Sequence, residues 1–189
     1  MSEPALVRQC DGCTMCCKVM RVPELPKEIN VWCTHCVLGK GCGIYETRPS
    51  SCREFNCLYL SNATLTPVWK PSECKFVMRF EAGGGGRISI HVDSKRPDAW
   101  RQEPFLSTFH EWARIGVEHQ AQVVVFVGRH VYVIVPDRVV DLGHVEPDEL
   151  ILTQMTRTPS GIRLEPFKAR KDDPRAQGLG LAQPDSMRS

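Results

Sequence analysis

The second half of the chain places apolar residues in short alternating and β-branched runs, a pattern that predicts strands. Residues 76–80 and 87–92 are two such runs, joined across the four glycines at 83–86. Residues 123–127 and 131–135 predict a hairpin around Gly128-Arg129, and a shorter strand is expected to include residues 139–142. The glycine run lacks the following Lys-Ser/Thr of a phosphate-binding loop, so a hairpin turn is the favoured interpretation.

Residues 105–117 have a helical rather than a strand period, and the helix is expected to begin near Pro104. Its apolar stripe consists of Phe105, Phe109, Trp112 and Gly116, with Leu106, Ala113 and Val117 beside them. Residues 76–160 therefore predict a small antiparallel β-sheet with one long helix packed on it. Residues 161–189 show no periodicity and are expected to be disordered. Trp69 and Trp100 are interpreted as packing residues.

Residues 1–75 have little regular period, because short Cys-x-x-Cys loops, prolines and glycines interrupt it. They predict an irregular cysteine-rich domain, so the whole chain is expected to be an α+β protein. One helix start is legible: Ser51-Cys-Arg-Glu54 has the capping-box pattern, which predicts a short helix beginning near Cys52. A thiol in the first turn of a helix is biased toward the thiolate, which makes Cys52 a good candidate ligand.

Composition narrows the possible partners. The 189 residues are 42% hydrophobic and 24% charged, as in an ordinary globular protein, and the net charge is only +2. That charge argues against nucleic acid or an anionic membrane as a partner. No apolar run approaches the roughly 18 residues needed to cross a bilayer, and the first residues show no secretory signal. We therefore expect a cytoplasmic protein.

The ten cysteines all lie between Cys10 and Cys74. In a secreted chain this clustering would indicate disulfides. In the reducing cytosol it indicates metal binding, because free thiolates there are available as ligands.

The first cysteine group is Cys10-x2-Cys13-x2-Cys16-Cys17. A two-residue gap lets one turn present two sulfurs to the same metal. Three cysteines at this spacing, with a fourth elsewhere, are typical of a four-iron (4Fe-4S) cluster of the ferredoxin kind. The adjacent side chains of Cys16 and Cys17 are expected to diverge, so that they serve different metals or one of them is not a ligand.

The second group is Cys33-Thr-His-Cys36, followed by Cys42, Cys52 and Cys57. These residues can complete a four-thiolate zinc site or supply the missing corner of an iron–sulfur cluster. His35 lies inside the Cys-x-x-Cys loop, where a middle residue usually points away from the metal. Cys74 is interpreted equally well as a buried free thiol or as a ligand. A thioredoxin-like redox role for Cys33 and Cys36 is disfavoured, because no βαβ pattern surrounds them.

This cysteine pattern resembles the CxxCxxCC family, whose members are described as zinc- or iron-chelating domains of the YkgJ type. The resemblance covers about residues 8–60. It is carried by the first cysteine group, by the Cys33-x-x-Cys36 pair, and by residues 39–57, which read GKGCGIYETRPSSCREFNC. The resemblance implies metal binding through these cysteines. One relative, the bacterial flagellin lysine methylase, couples such a motif to methyl transfer.

Four other residues of this string have candidate roles. Arg48 and Arg53 are able to donate hydrogen bonds to thiolate sulfurs, or alternatively to pair with Glu46 and Glu54 at the surface. Tyr45 and Phe55 are expected to shield the metal from water.

Three functional hypotheses remain open from the sequence. The favoured one is a metal-binding protein that holds an iron–sulfur cluster, zinc or both. The alternatives are a cluster-dependent protein-modifying enzyme that transfers methyl groups, and a zinc-stabilised module that binds a protein partner. The sequence offers no catalytic constellation in its second half, since its histidines are scattered with no carboxylate at a recognisable spacing.

Overall fold

The computed structural model of the chain describes residues 8–10, 12–82, 85–159 and 161–176. These residues combine short helices and turns in the first part with a five-stranded sheet and one long helix in the second. The predicted α+β class is confirmed. Among these residues, no helix has both the length and the apolar character needed to cross a bilayer.

The cysteine-rich segment contains only short regular elements. They are α1 (Cys16–Val19), β1 (Cys36–Val37), β2 (Gly41–Cys42), α2 (Ser50–Glu54), α3 (Leu58–Ser61) and α4 (Pro71–Cys74). Strands β1 and β2 pair antiparallel and place Cys36 directly opposite Cys42. The short elements agree with the absence of any long apolar period in this part of the sequence.

Helix α2 carries Cys52 in its first turn, as predicted, but it is not capped as predicted. Its N-cap is Pro49, and no N-cap side chain binds the helix. Instead the carboxylate of Glu24 accepts hydrogen bonds from the Ser51 amide at 3.0 Å, the Ser51 hydroxyl at 2.6 Å and the Ser50 hydroxyl at 2.8 Å. These bonds lower the pKa of Glu24 to about 2. The carboxylate of Glu24, which is distant in sequence, thus caps the start of α2 in place of the predicted Ser51/Glu54 capping box.

The predicted strands of the second half are all present. They are β3 (Phe76–Glu81), β4 (Arg87–Val92), β5 (Gln122–Val127), β6 (His130–Val135) and β7 (Arg138–His144), paired in that order. The prediction of a purely antiparallel sheet was wrong at one place, because β4 and β5 pair in parallel. The long helix lies between these two strands in the chain, and such a crossover returns the chain in the same direction.

Helix α5 (Phe105–His119) buries Phe105, Phe109 and Ala113 against one face of the sheet. The opposing strand residues include Phe76 and Ile90, which are fully buried. A set of aromatic rings fills the space between helix and sheet. The centroid of the Trp69 ring lies 4.8 Å from Phe105 and 5.7 Å from Phe109, while Trp100 is completely buried. Both tryptophans are therefore packing residues, as predicted.

A C-terminal hairpin packs against the opposite face of the sheet. Strands β8 (Glu149–Thr158) and β9 (Gly161–Arg170) pair antiparallel over their whole length. The expectation of disorder from residue 161 onward is therefore wrong for residues 161–170, while residues 177–189 lie outside the described part. The sequence of β9 shows no alternation of apolar and polar residues, because most of its residues remain exposed or half-buried and only Ala169 is buried.

A buried ion pair ties the cysteine-rich segment to the sheet. Lys18, in α1, donates to both carboxylate oxygens of Asp93, each at 2.5 Å. Asp93 directly follows β4, and its Oδ1 also accepts a hydrogen bond from the Lys95 amide at 2.9 Å. The two side chains are only 6% and 8% exposed. Helix α1, which carries Cys16 and Cys17, is therefore attached at one defined point to the end of β4.

We expect Asp93→Asn to lower the free energy of unfolding by about 3–5 kcal/mol, because it leaves the Lys18 ammonium buried without its counter-charge. Urea unfolding measures this loss. Glu146→Gln is the matched control, since it breaks the half-exposed Arg129–Glu146 pair at 3.2 Å and should cost less than about 1 kcal/mol. Equal stability of the two variants would contradict the role assigned to Asp93.

Strand β4 also buries a row of polar side chains on the hairpin side of the sheet. Arg87, Ser89 and His91 alternate along the strand, and each is less than 9% exposed. His91 stacks on Phe126 with ring centroids 5.0 Å apart, and its Nε2 has no hydrogen-bond partner in the described residues. Burial, assisted by the positive charge of Arg79, lowers the pKa of His91 to about 3. His91 is therefore neutral in the folded protein.

This depressed pKa predicts an acid-dependent loss of stability. Below the ordinary value of 6.5 the unfolded chain protonates His91 and the folded protein does not, so stability falls by about 1.4 kcal/mol per pH unit from 6.5 toward 3. In metal-free protein, His91→Gln should remove this part of the slope in urea unfolding measured across pH. His144→Gln, at an exposed histidine, should retain it. If both variants keep the wild-type slope, His91 is not buried as a neutral base.

Candidate metal centre

Arg8 fixes the chain just before the first cysteine. Its guanidinium donates to the backbone carbonyls of Tyr59 and Asn62 at 2.7 Å each, of Leu65 at 2.6 Å and of Ala63 at 3.0 Å. One side chain thus satisfies carbonyls at and beyond the end of α3, where helical partners are lacking. Because α3 directly follows Cys57, this clamp brings the start of the cysteine motif next to that residue.

The first set of neighbouring thiols comprises Cys10, Cys13, Cys16 and Cys57. A turn holds Cys10 and Cys13 together, since the Cys13 amide donates to the Cys10 carbonyl at 2.9 Å. Cys13 and Cys16 pack against the buried side chains of Met15 and Cys57. The hydrogen bond to Cys17 is the main cause that raises the pKa of Cys16, and burial is the main cause for Cys57; Cys10 and Cys13 are electrostatic neighbours of both thiols. Cys57, assigned by the sequence to the second group, therefore lies with the first.

The second set comprises Cys17, Cys33, Cys36, Cys42 and Cys52. The Cys33 amide donates to the Cys17 carbonyl at 2.9 Å, and the Cys36 amide donates to the Cys33 carbonyl at 3.0 Å. Cys42 faces Cys36 across the β1–β2 pair. Cys52 is an electrostatic neighbour of Cys17 and Cys42. Three separate stretches of chain therefore supply this set.

Cys16 and Cys17 join the two sets. The sequence predicted that these adjacent side chains diverge, but their thiols are in hydrogen-bond contact. Their other neighbours do differ: Cys16 lies near Cys10 and Cys13, and Cys17 contacts Cys36. Hydrogen bonds from Cys16 and Cys36, with the positive charge of Lys27, lower the pKa of Cys17 to about 6. The hydrogen bond to Cys17 and burial raise the pKa of Cys16.

Burial holds three further thiols, Cys36, Cys57 and Cys74, in their protonated form. Burial raises the pKa of Cys36 and of Cys57 to about 11 each. Burial also raises the pKa of Cys74 to about 12, and its Sγ donates to the carbonyls of Phe76 at 3.3 Å and Trp69 at 3.5 Å. These contacts, inside the aromatic core, match the interpretation of Cys74 as a buried free thiol.

The accompanying aromatic and basic residues depart from their predicted roles. Tyr45 is 57% exposed, and Arg48 stacks on its ring at 3.7 Å and donates to its carbonyl at 3.2 Å. Tyr45 therefore does not shield the cysteines from water, and Arg48 is engaged away from any sulfur. Phe55 packs against the buried cluster that contains Cys57, and its role in shielding a metal from water stays a prediction.

No disulfide joins any of the ten cysteines. Among the described residues, however, no three or more Cys, His, Asp or Glu side chains are assembled into a group that could hold a metal ion. The thiols of each set therefore lie near one another without displaying a complete ligand sphere. The donor chemistry still fits zinc or an iron–sulfur cluster, because clustered thiolates are the ligands that both prefer.

Comparison of the chain with protein-family models, with curated proteins and with solved structures finds no match.

Three residues that position the site escaped the sequence reasoning: Arg8, Glu24 and Lys27. Each acts through bonds to backbone or hydroxyl groups that lie elsewhere in the chain or at the end of a short helix. Arg8, for example, bridges more than 50 positions. No local pattern could identify such partners, because an isolated Arg, Glu or Lys in a sequence usually indicates only a solvated surface.

The low pKa of Cys17 predicts selective alkylation in metal-free protein. At pH 7 Cys17 is mainly thiolate, whereas Cys57 and Cys74 are thiols, and only the thiolate is a good nucleophile. Iodoacetamide labelling followed by peptide mass spectrometry should therefore modify Cys17 before Cys57 and Cys74, with half-maximal rate near pH 6. Labelling of Cys57 before Cys17 would contradict the assigned hydrogen bonds.

Proposed function

We propose that this protein binds metal through its clustered cysteines, holding zinc, an iron–sulfur cluster or both. The candidate ligands are Cys10, Cys13, Cys16, Cys17, Cys33, Cys36, Cys42, Cys52 and Cys57. Metal binding here is either structural or part of electron transfer or metal handling.

The observation that carries the proposal is that thiols from separate stretches of the chain lie near one another. Cys17 adjoins Cys33 and Cys36, and Cys57 adjoins the Cys10–Cys13 turn although more than 40 positions separate them. Free thiols crowded in this way are costly as thiolates, because each like charge raises the pKa of the next. A bound cation removes that cost, since it replaces the protons and neutralises the sulfurs.

The weakness of the local apolar core supports the same proposal. Apart from Cys57, the buried cluster beside the first thiol set consists of Met15, Val19, Met20, Leu60 and Val77, whereas Leu65, Trp69 and Cys74 belong to the core under α5. Such a small cluster leaves the loops at residues 28–57 with few buried side chains. A metal, when bound, supplies cross-links between these loops and so contributes directly to their folding free energy.

The resemblance to the CxxCxxCC family adds support at residues 8–60, through the spacing of the same cysteines. It also keeps methyl transfer as an enzymatic alternative.

A second candidate function, binding of a protein partner, rests on one further observation. Five large apolar side chains stand exposed around the β1–β2 hairpin: Val31, Trp32, Val37, Leu38 and Tyr45. A concentration of exposed apolar residues is typical of interaction surfaces. In this hypothesis zinc at the neighbouring thiols would shape the surface that carries these side chains.

Elemental analysis of anaerobically purified protein tests the main proposal. We expect either one or two zinc ions per chain, or about four irons and four sulfides with broad absorption near roughly 400 nm. Cys36→Ser should lose most of the metal, while Cys74→Ser should retain it because Cys74 bonds to backbone carbonyls. A folded wild-type protein with neither metal would overturn the proposal.

Hydrogen exchange locates the effect of the metal. Chelation should expose the amides of α1 and of the β1–β2 hairpin to exchange, while the amides of α5 keep their protection because an aromatic core holds that helix. If chelation reduced the protection of all amides equally, the metal would stabilise the whole fold and not only the cysteine-rich loops.

A further inference from the structure

Lys27 is a buried cation without a carboxylate partner. It is 7% exposed, and its ammonium donates to the carbonyls of Lys18 at 3.0 Å, of Glu28 at 3.1 Å and of Met20. Lys18 and Met20 belong to α1 and its C-cap, the turn that carries Cys16 and Cys17. The charge of Lys27 is therefore held at the centre of the cysteine motif.

Lys27 differs from Lys18, which is also buried, in having no carboxylate in the described part of the chain to neutralise its charge. Lys18 is neutralised by Asp93, with which it forms a bidentate ion pair. Lys27 forms no ion pair within the described residues, and carbonyl groups compensate a buried positive charge only in part. Its electrostatic neighbours are instead four cysteines: Cys33, Cys17, Cys16 and Cys52.

We propose that Lys27 is a positioning and charge-compensating residue that strengthens metal binding by the second thiol set. This inference rests on the proposed metal-binding function. Four thiolates around a divalent ion carry a net charge of about −2, and a buried site must offset that charge. The ammonium of Lys27 supplies one positive charge from inside the protein, while its hydrogen bonds to the carbonyls of Lys18 and Met20 hold the α1 turn that presents Cys16 and Cys17.

The two contributions of Lys27 are separable by substitution. Lys27→Met removes both charge and donors, Lys27→Gln removes the charge but keeps an amide donor, and Lys27→Arg keeps both. Lys40→Met is the matched control, because Lys40 is exposed in the turn between β1 and β2. Each variant is tested as the full chain, and its unfolding free energy without metal is measured separately in urea.

Zinc affinity, measured by competition with a chromophoric chelator at fixed pH, tests the proposal. Lys27→Met and Lys27→Gln should bind Zn²⁺ about 10- to 100-fold more weakly than wild type, because each removes a positive charge whose electrostatic neighbours are cysteines. Lys27→Arg should remain within about threefold of wild type, and Lys40→Met should match it.

Three results would overturn the proposal. One is unchanged zinc affinity in Lys27→Gln, and another is an equal loss in Lys27→Arg and Lys27→Gln, which would indicate a requirement of shape and not of charge. The third is a Lys27→Gln variant that is unfolded without metal, because Lys27 would then be a structural residue. If the wild type itself binds no zinc or iron while remaining folded, the proposed function fails and the role of Lys27 fails with it, whereas the three results above overturn the role of Lys27 alone.

Discussion

The buried ion pair between Lys18 and Asp93 is the constraint on which the arrangement of this protein depends. It joins the four-residue helix α1, which carries Cys16 and Cys17, to the end of a strand in the centre of the sheet. A helix of one turn has no stability of its own. Its orientation must therefore come from tertiary contacts, and a bidentate, desolvated pair specifies direction more sharply than apolar packing does. The ion pair thereby holds α1, and with it Cys16 and Cys17, against the folded sheet.

The two parts of the chain achieve order by different means. Residues 76–176 form a layered structure in which an aromatic cluster joins α5 to one sheet face and a hairpin covers the other. In residues 12–75 individual polar contacts hold the short elements: Glu24 binds the start of α2, Lys27 binds the end of α1, and Arg8 binds carbonyls at and beyond the end of α3. Such contacts hold loops in place without a large core around the cysteines. Under the proposed function, a bound metal would add to the stability of these loops.

The charges around the cysteines follow from the same architecture. Thiols brought together from different loops oppose one another's ionisation, and hydrogen bonds concentrate the negative charge on Cys17. Lys27 is the nearby cation that no carboxylate neutralises among the described residues. Cys17 thus carries the thiolate character of the site, whereas burial holds Cys36 and Cys57 in their protonated form.

The sequence by itself determined the five strands of the sheet, the long helix and the clustering of the cysteines, because periodicity and Cys-x-x-Cys spacing are local properties. Tertiary structure alone decided the partners. It placed Cys57 with Cys10 and Cys13, made β4 and β5 parallel neighbours, paired β9 with β8, and assigned the capping of α2 to Glu24. It also turned Tyr45 outward and buried Lys27. These outcomes depend on contacts between distant segments, and such contacts leave no periodic signal in the chain.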